Sequence, residues 1–245
     1  MTEKPRTAIV TGASRGIGAG IAQRLAADGY AVVVNYAGSK EDADTVVQQI
    51  TENGGTAIAV QADVSAGTDV RRLFDEAEHA FGPVHVVVNN AGRAIRKPLA
   101  EFTEAEFDSV VSTNLKGAFL VLAESARRIA DNGRIVNISA SFQGAPIPGY
   151  GPYAASKAAV ETLSAVAAKE LGSRGVRVNA LRPGPTDTEL FRKGKSDEIV
   201  QTFARQVALG RIGEPADIAA TVSLLVGDDG GWITGQAFGA NGGYW

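Results

Sequence analysis

A chain of 245 residues with 44% hydrophobic content can bury a sizeable core, as one large α/β domain or two small ones. Lys and Arg total 24 against 27 Asp and Glu, and a net charge of −3 carries no basic excess that would favour nucleic acid or an anionic membrane. The absence of cysteine excludes disulfides, thiolate metal sites and cysteine nucleophiles; no apolar run approaches the roughly 18 residues of a membrane span, and a cytoplasmic protein without a metal site is expected.

Along the chain, short β-branched runs alternate with helix-length patterns. "RTAIVTG" reads as a first strand, followed by a helix over Ile17 to Asp28 that Gly29 stops. "YAVVVNY" is a second strand, and Ser39-Lys-Glu-Asp42 has the form of a capping box opening a helix from Ser39 to Asn53. After the strand "GTAIAVQADV" comes a helix over Thr68 to Phe81, and after "PVHVVVNNAG" a long one from Thr103 to Ala130, again with a capping-box start at Thr103-Glu-Ala-Glu106. The strand "GRIVNISAS", a helix over Tyr153 to Ser173, the strand "GVRVNALRPG" and a helix start at Pro215 complete the pattern. Six buried strands joined by helices predict a parallel sheet covered on both faces. No linker, repeat or composition break divides it, so residues 1–245 are expected to form a single doubly wound α/β domain.

The first strand runs into "TGASRGIG", whose glycines permit two readings. Gly12-Ala13-Ser14-Arg15-Gly16 matches the G-x-S-x-G elbow of serine hydrolases, yet Ser14 would need an activating histidine, and only His79 and His85 exist. Alternatively, Gly12 permits a tight turn, Gly16 a close phosphate approach and Gly18 close helix-to-strand packing, which together make a dinucleotide cradle. NAD sites usually place a carboxylate at the end of the second strand. Here that stretch reads Asn35-Tyr36-Ala37-Gly38-Ser39, and Arg15 and Lys40 lie near enough to attract a 2'-phosphate, so NADP(H) is the better match and NAD(H) the alternative.

Tyr153-Ala-Ala-Ser-Lys157 places a phenol and an ammonium four residues apart on one helix face, an arrangement able to lower a phenol pKa from about 10 toward a useful range. "NISASFQG", "NNAG" and "RPGPTDT" bring Ser139, Ser141, Asn89 and Thr186 to strand ends, where open α/β sheets bind ligands.

With these residues in order, the whole chain resembles the short-chain dehydrogenase/reductase family: "TGASRGIG", "NNAG", Asn114 in "NLKG", the strand-end serine, "YAASK", "RPGPT" and "ITGQAFGANGG" occur at its approximate spacing. The resemblance implies a Rossmann domain that interconverts a carbonyl and an alcohol with NAD(P), through a tetrad carried onto Asn114, Ser141, Tyr153 and Lys157. Tyr153 would exchange the proton, Lys157 would lower its pKa and hold the nicotinamide ribose, Ser141 would bond the carbonyl oxygen, and Asn114 would position a water. Ala140 interrupts the common serine pair; Ser141 is favoured because Gly144 follows it by three places, and Ser139 is the alternative.

For the cofactor, the resemblance assigns Gly12, Ser14, Arg15, Gly16, Ile17 and Gly18 to the phosphates and Asn35, Tyr36 and Ser39 to the adenosine end. Asp63 and Val64 would flank adenine, Asn89, Ala91 and Gly92 would line the channel, and Pro183, Gly184, Thr186 and Thr188 would meet the nicotinamide side. Substrate-facing segments are expected at Arg93 to Lys97, at Phe142 to Tyr150 and in a mobile lid at about 185–206. The wider likeness is to 3-oxoacyl-carrier-protein reductases and related carbonyl and alcohol dehydrogenases. It implies a homotetramer packed through the helices Thr103 to Ala130 and Tyr153 to Ser173, and the terminal Tyr244-Trp245 is expected at a subunit interface or near a neighbouring pocket. A dinucleotide-sensing regulator without catalysis is the alternative of a different class.

Overall fold

The computed structural model describes residues 5–141 and 146–244; the expectations for Phe142, Gly144 and Trp245 lie outside these residues. The β-branched runs form strands β1 (Thr7–Val10), β2 (Ala31–Tyr36), β3 (Thr56–Gln61), β4 (Val84–Asn89), β5 (Arg134–Ile138) and β6 (Arg177–Pro183). A further strand, β7 (Ala237–Ala240), pairs in parallel with β6, Ala180 facing Ala237, and raises the expected six to seven among the described residues. All pairings are parallel, in the order β3-β2-β1-β4-β5-β6-β7. The chain builds outward from β1 to β3, then restarts at β4 on the other side of β1. That reversal opens a crevice beyond the carboxyl ends of β1 and β4.

Helices α1 (Gly16–Ala27), α2 (Lys40–Glu52) and α9 (Pro215–Val226) cover one face, and α3 (Gly67–Phe81), α5 (Ala118–Arg128) and α6 (Gly151–Leu171) the other. Because successive strand residues point to opposite faces, Ala8 and Val10 join the first core with Ile21, Leu25 and Val222. Ile9 joins the second with Leu73, Phe74, Val121 and Leu171. Burying a side chain of this size is worth roughly 1.5–3 kcal/mol, and coverage of both faces explains why the strands read as unbroken apolar runs. On the first face α1 and α9 approach closely: a Cβ on Gly20 would lie 2.9 Å from Cβ of Pro215, and Ser223 donates to Asp28 Oδ2 at 2.6 Å.

The long helix expected from Thr103 is continuous but not uniform. It begins as α4 (Glu104–Val111), widens into a π-helical segment over Ser112–Gly117, and resumes as α5. Thr103 forms the expected capping box, its hydroxyl accepting from the Glu106 N–H while the Glu106 carboxylate accepts from the Thr103 N–H. Ser39 does not: at φ −96° and ψ 78° its side chain makes no capping bond to α2, so the box expected at Ser39-Asp42 is absent. The segment expected as a lid contains two short helices, α7 (Glu189–Arg192) and α8 (Asp197–Gln206), capped by Thr188 and Ser196. None of the described helices is long and apolar enough to cross a membrane.

Candidate active site

The turn after β1 is shaped by glycine. Gly12 and Gly16 adopt φ +60° and +57°, a region that L side chains rarely occupy. A Cβ on Gly12 would come within 2.9 Å of Ala91 Cα, and one on Gly18 within 2.3 Å of the Gly12 carbonyl. Arg15 precedes α1 in extended conformation and supplies no side-chain cap, leaving the first N–H groups of the helix to an outside acceptor, as an anion site requires.

A cleft of about 560 Å³ opens above this turn and runs to Tyr153 and Lys157. It is lined by every residue expected along the cofactor channel except Asn89. Alternation along β4 gives the reason: Asn89 turns inward, its amide donating to the Ala118 carbonyl at 3.0 Å, and the next residue, Asn90, faces the cleft instead. Asn90 Nδ2 spans the carbonyls of Thr11 and Gly12 at 2.9 and 3.0 Å and so braces the glycine turn.

Several channel residues are tied to the protein itself. Buried Asn35 accepts from the Gly12 N–H at 3.2 Å and donates to the carbonyls of Ala62 and Val60, linking the ends of β1, β2 and β3. Asp63 accepts from the N–H and hydroxyl of Ser65, and Thr186 donates to the Gly184 carbonyl. No carboxylate lies in the stretch that ends β2. Lys40, expected nearby as a cation, is outside the cleft lining and pairs with Asp44, whereas Arg15 lines it and pairs with exposed Glu189 at 3.2 Å.

At the other end, α6 carries Tyr153 and Lys157 one turn apart, with the lysine Nζ 5.9 Å from the tyrosine ring centre. The ammonium donates to the Ile138 carbonyl at 2.7 Å, so the end of β5 fixes its position. Burial pushes Lys157 down to about 8 and, with a smaller contribution from Tyr150, pushes the Tyr153 phenol up to about 12. The expected lowering of the phenol by its neighbour is therefore reversed in this structure, where desolvation is the larger effect.

The two serines part company. Ser141 lines the cleft, its hydroxyl donating to the Arg182 carbonyl at 3.1 Å and accepting from Asn241. Ser139 donates at 2.6 Å to Glu161, a carboxylate only 10% exposed that also grips Arg182 through two bonds of 2.6 and 2.9 Å. Ser139 lines the cleft as well, but its hydroxyl is committed to Glu161 and to the Lys157 carbonyl. Asn114, in the π-helical segment, does not line the cleft: its Oδ1 accepts from the Arg93 N–H and its Nδ2 donates to the Arg93 carbonyl and to Ser156. It lies immediately behind Gly92, where a Cβ would meet Asn114 Oδ1 and Lys157 Nζ, each at 3.4 Å.

No histidine lines the cleft with Ser14. His85 accepts from the Thr7 N–H near the start of β4, and His79 lies in α3, so the hydrolase reading has no base at Ser14. The sequence reading missed Asn90, Thr113 and part of an aromatic wall made by Phe191, Phe203 and Tyr244, whose neighbouring rings stand 5.3 and 6.3 Å apart. Ser196 as a helix cap was the available signal for Phe203, since it makes "DEIVQTFARQ" an amphipathic helix with a fixed inner face.

The family model described as enoyl-(acyl carrier protein) reductase matches residues 12–245. A chloroplastic NADPH-dependent aldehyde reductase-like protein of Arabidopsis thaliana is 44% identical over 98% of this chain and 94% of its own. A 3-oxoacyl-(acyl-carrier-protein) reductase of Staphylococcus epidermidis is 42% identical over 97% of this chain and 98% of its own. Among solved structures, a short chain dehydrogenase from Burkholderia cenocepacia in complex with NADP superimposes with a TM-score of 0.92 at 37% identity, covering 98% of this chain and 97% of that one.

Proposed function

The chain belongs to the short-chain dehydrogenase/reductase family and is an NAD(P)-dependent reductase, and from that premise we propose that it uses NADP(H) to interconvert a ketone or other carbonyl compound with its alcohol. The observation that carries the reading is the shared cleft: the glycine turn and the open first turn of α1 stand at one end, Tyr153 and Lys157 at the other. A dinucleotide fits that cradle, since Gly12, Gly16 and Gly18 leave the room that any Cβ would fill. The stretch after β2 without a carboxylate, together with Arg15, favours a 2'-phosphate.

When bound, the reduced cofactor supplies a hydride to the carbonyl carbon. Tyr153 gives its proton to the carbonyl oxygen, and its raised pKa keeps that proton in place through the neutral range. Lys157, anchored by the Ile138 carbonyl, presents the ammonium beside the phenol. Ser141 turns its hydroxyl from the Arg182 carbonyl to the oxygen on which charge develops. Asn114 holds the Arg93 peptide and thereby the rim, a role its hydrogen bonds favour over placing a water.

Fluorescence titration with NADPH and NADH, followed by absorbance assays on a panel of aldehydes, ketones and 3-oxoacyl thioesters, tests the reading. NADPH is expected to give a kcat/KM at least about tenfold higher, the scale of one charge-assisted contact. A value for NADH equal or higher would reverse the cofactor preference, and tight binding without turnover across the panel would favour a sensing role. Ser141→Ala is expected to lower kcat by about 10²-fold. Ser139→Ala should instead lower thermal stability, because it deprives buried Glu161 of a donor; the opposite pattern of rates would move the role to Ser139.

The reading extends to assembly as a homotetramer. Phe107 on α4, Phe119 on α5 and Val166 on α6 expose apolar surface on the two helices expected at a two-fold contact. Light scattering at the mass of one chain would exclude it.

A further inference from the structure

We infer that the carbonyl substrate carries an anionic group, a carboxylate or a phosphate, which is held at the cleft mouth between Arg96 and Lys195; the inference rests on the reductase reading above. The substrate end of the cleft is walled by rings. Tyr150 stands 6.1 Å from Tyr153, ring centre to ring centre, and Phe191 faces the same cleft. Each of these two outer rings carries a cation: the Arg96 guanidinium lies 5.8 Å from the centre of Tyr150, and the Lys195 ammonium 4.5 Å from that of Phe191.

Several other cations near this rim are held in ion pairs, although Arg93, which lines the cleft, is not among them. Lys97 pairs with Glu106, Arg192 with Asp187 and Asp197, Arg15 with Glu189, and Arg182 with Glu161. Among the described residues Arg96 and Lys195 form no ion pair, although the chain has more acidic than basic residues to offer. They are also close enough to act on each other: partial burial and the field of Arg96 both push the Lys195 pKa down. Two like charges brought together without a carboxylate repel, and an anion between them turns that repulsion into two attractions.

The rings set the spacing. Tyr150 connects the two ends, its ring centre 6.1 Å from that of Tyr153 and 5.8 Å from the Arg96 guanidinium, so a substrate with one aromatic ring between carbonyl and anion is the probe of choice. A flat, apolar middle would pack on Tyr150 and Phe191. Lys195 is held in place by a bond from its ammonium to the Phe191 carbonyl, which leaves two of its N–H groups for the ligand.

The experiment compares reduction of 4-carboxybenzaldehyde, 4-formylphenyl phosphate and the neutral 4-carbamoylbenzaldehyde. In the wild type, at least one anionic aldehyde should exceed the amide in kcat/KM by about tenfold or more, and whichever leads identifies carboxylate or phosphate as the natural group. In the Arg96→Met/Lys195→Met double variant that ratio should fall to about one. If all three aldehydes are reduced equally by the wild type, or if the ratio survives in the double variant, the anion site is wrong while the reductase reading stands. Calorimetry with benzoate and benzamide separates the remaining case, in which no aldehyde is reduced. Benzoate binding that the double variant loses upholds the site and sets the failure on the catalytic reading, whereas no preference for benzoate overturns the site.

Discussion

Tyr153→Phe is expected to lower kcat for carbonyl reduction by about 10³-fold or more, near the upper range of general acid catalysis by one side chain. The substitution removes one oxygen and its proton from a buried ring and leaves the glycine turn, Arg15 and Lys157 untouched. Affinity for NADPH should therefore stay within about threefold of the wild type, under 1 kcal/mol. Steady-state absorbance for turnover and fluorescence titration for binding make the comparison; a variant with near-normal kcat would remove Tyr153 from the mechanism. The wild-type pH profile carries a second signature. Burial keeps the phenol protonated until about pH 12, so the tyrosine itself does not limit reduction near neutrality. Lys157, lowered to about 8, loses its charge as pH rises through that value, and kcat/KM for reduction should be level below pH 8 and decline above it.

Gly18→Ala is expected to be nearly as damaging by a different route. A methyl group there would lie 2.3 Å from the Gly12 carbonyl, 2.6 Å from Asn90 Nδ2 and 2.9 Å from Ala13 Cα. Two of these neighbours are backbone, and the third is an amide already bonded to Thr11 and Gly12. The cradle must open, at a cost of about 3 kcal/mol, which for a chain of this size lowers Tm by about 10 °C. NADPH affinity should fall about 100-fold, since the displaced groups shape the turn proposed to hold the phosphates. Gly172→Ala is the control: nothing lies within 4 Å of the added carbon, and φ −60° suits alanine, so thermal unfolding should show no loss and a small gain. Equal effects of the two substitutions would show that Gly18 owes its place to chain flexibility rather than to space.

Much of this architecture was legible because its elements are long or chemically marked. Valine-rich strands buried on both faces, the Thr103 capping box and Pro215 all give local signals that the tertiary structure leaves intact. β7 was not legible, since "AFGA" is four residues with a central glycine and is a strand only because β6 offers it an edge. The box at Ser39 failed for a related reason: the chain leaves β2 in a conformation that local sequence does not report. In the site, spacing marked Tyr153, Lys157 and the glycines, while the choice between Asn89 and Asn90 turned on where β4 ends. Spacing favoured Ser141 over Ser139, and what it did not report is that the two hydroxyls have different acceptors, the Arg182 carbonyl and the Glu161 carboxylate. The sign of the Tyr153 shift depends on how dry the cleft floor is, a property of the packed molecule that no motif encodes.

The packing of α1 against α9 bears on how the protein is made. Ile21 and Leu25 leave the ribosome early, inside the first strand-and-helix unit, yet Val222 and Pro215, which cover that side of α1, are synthesised some 190 residues later. Until α9 is made, this side of α1 lacks its native cover, while α2 and β2 already pack against it elsewhere. The glycine turn sits at the start of that same helix, so it gains this supporting neighbour only once Pro215–Val226 has been made.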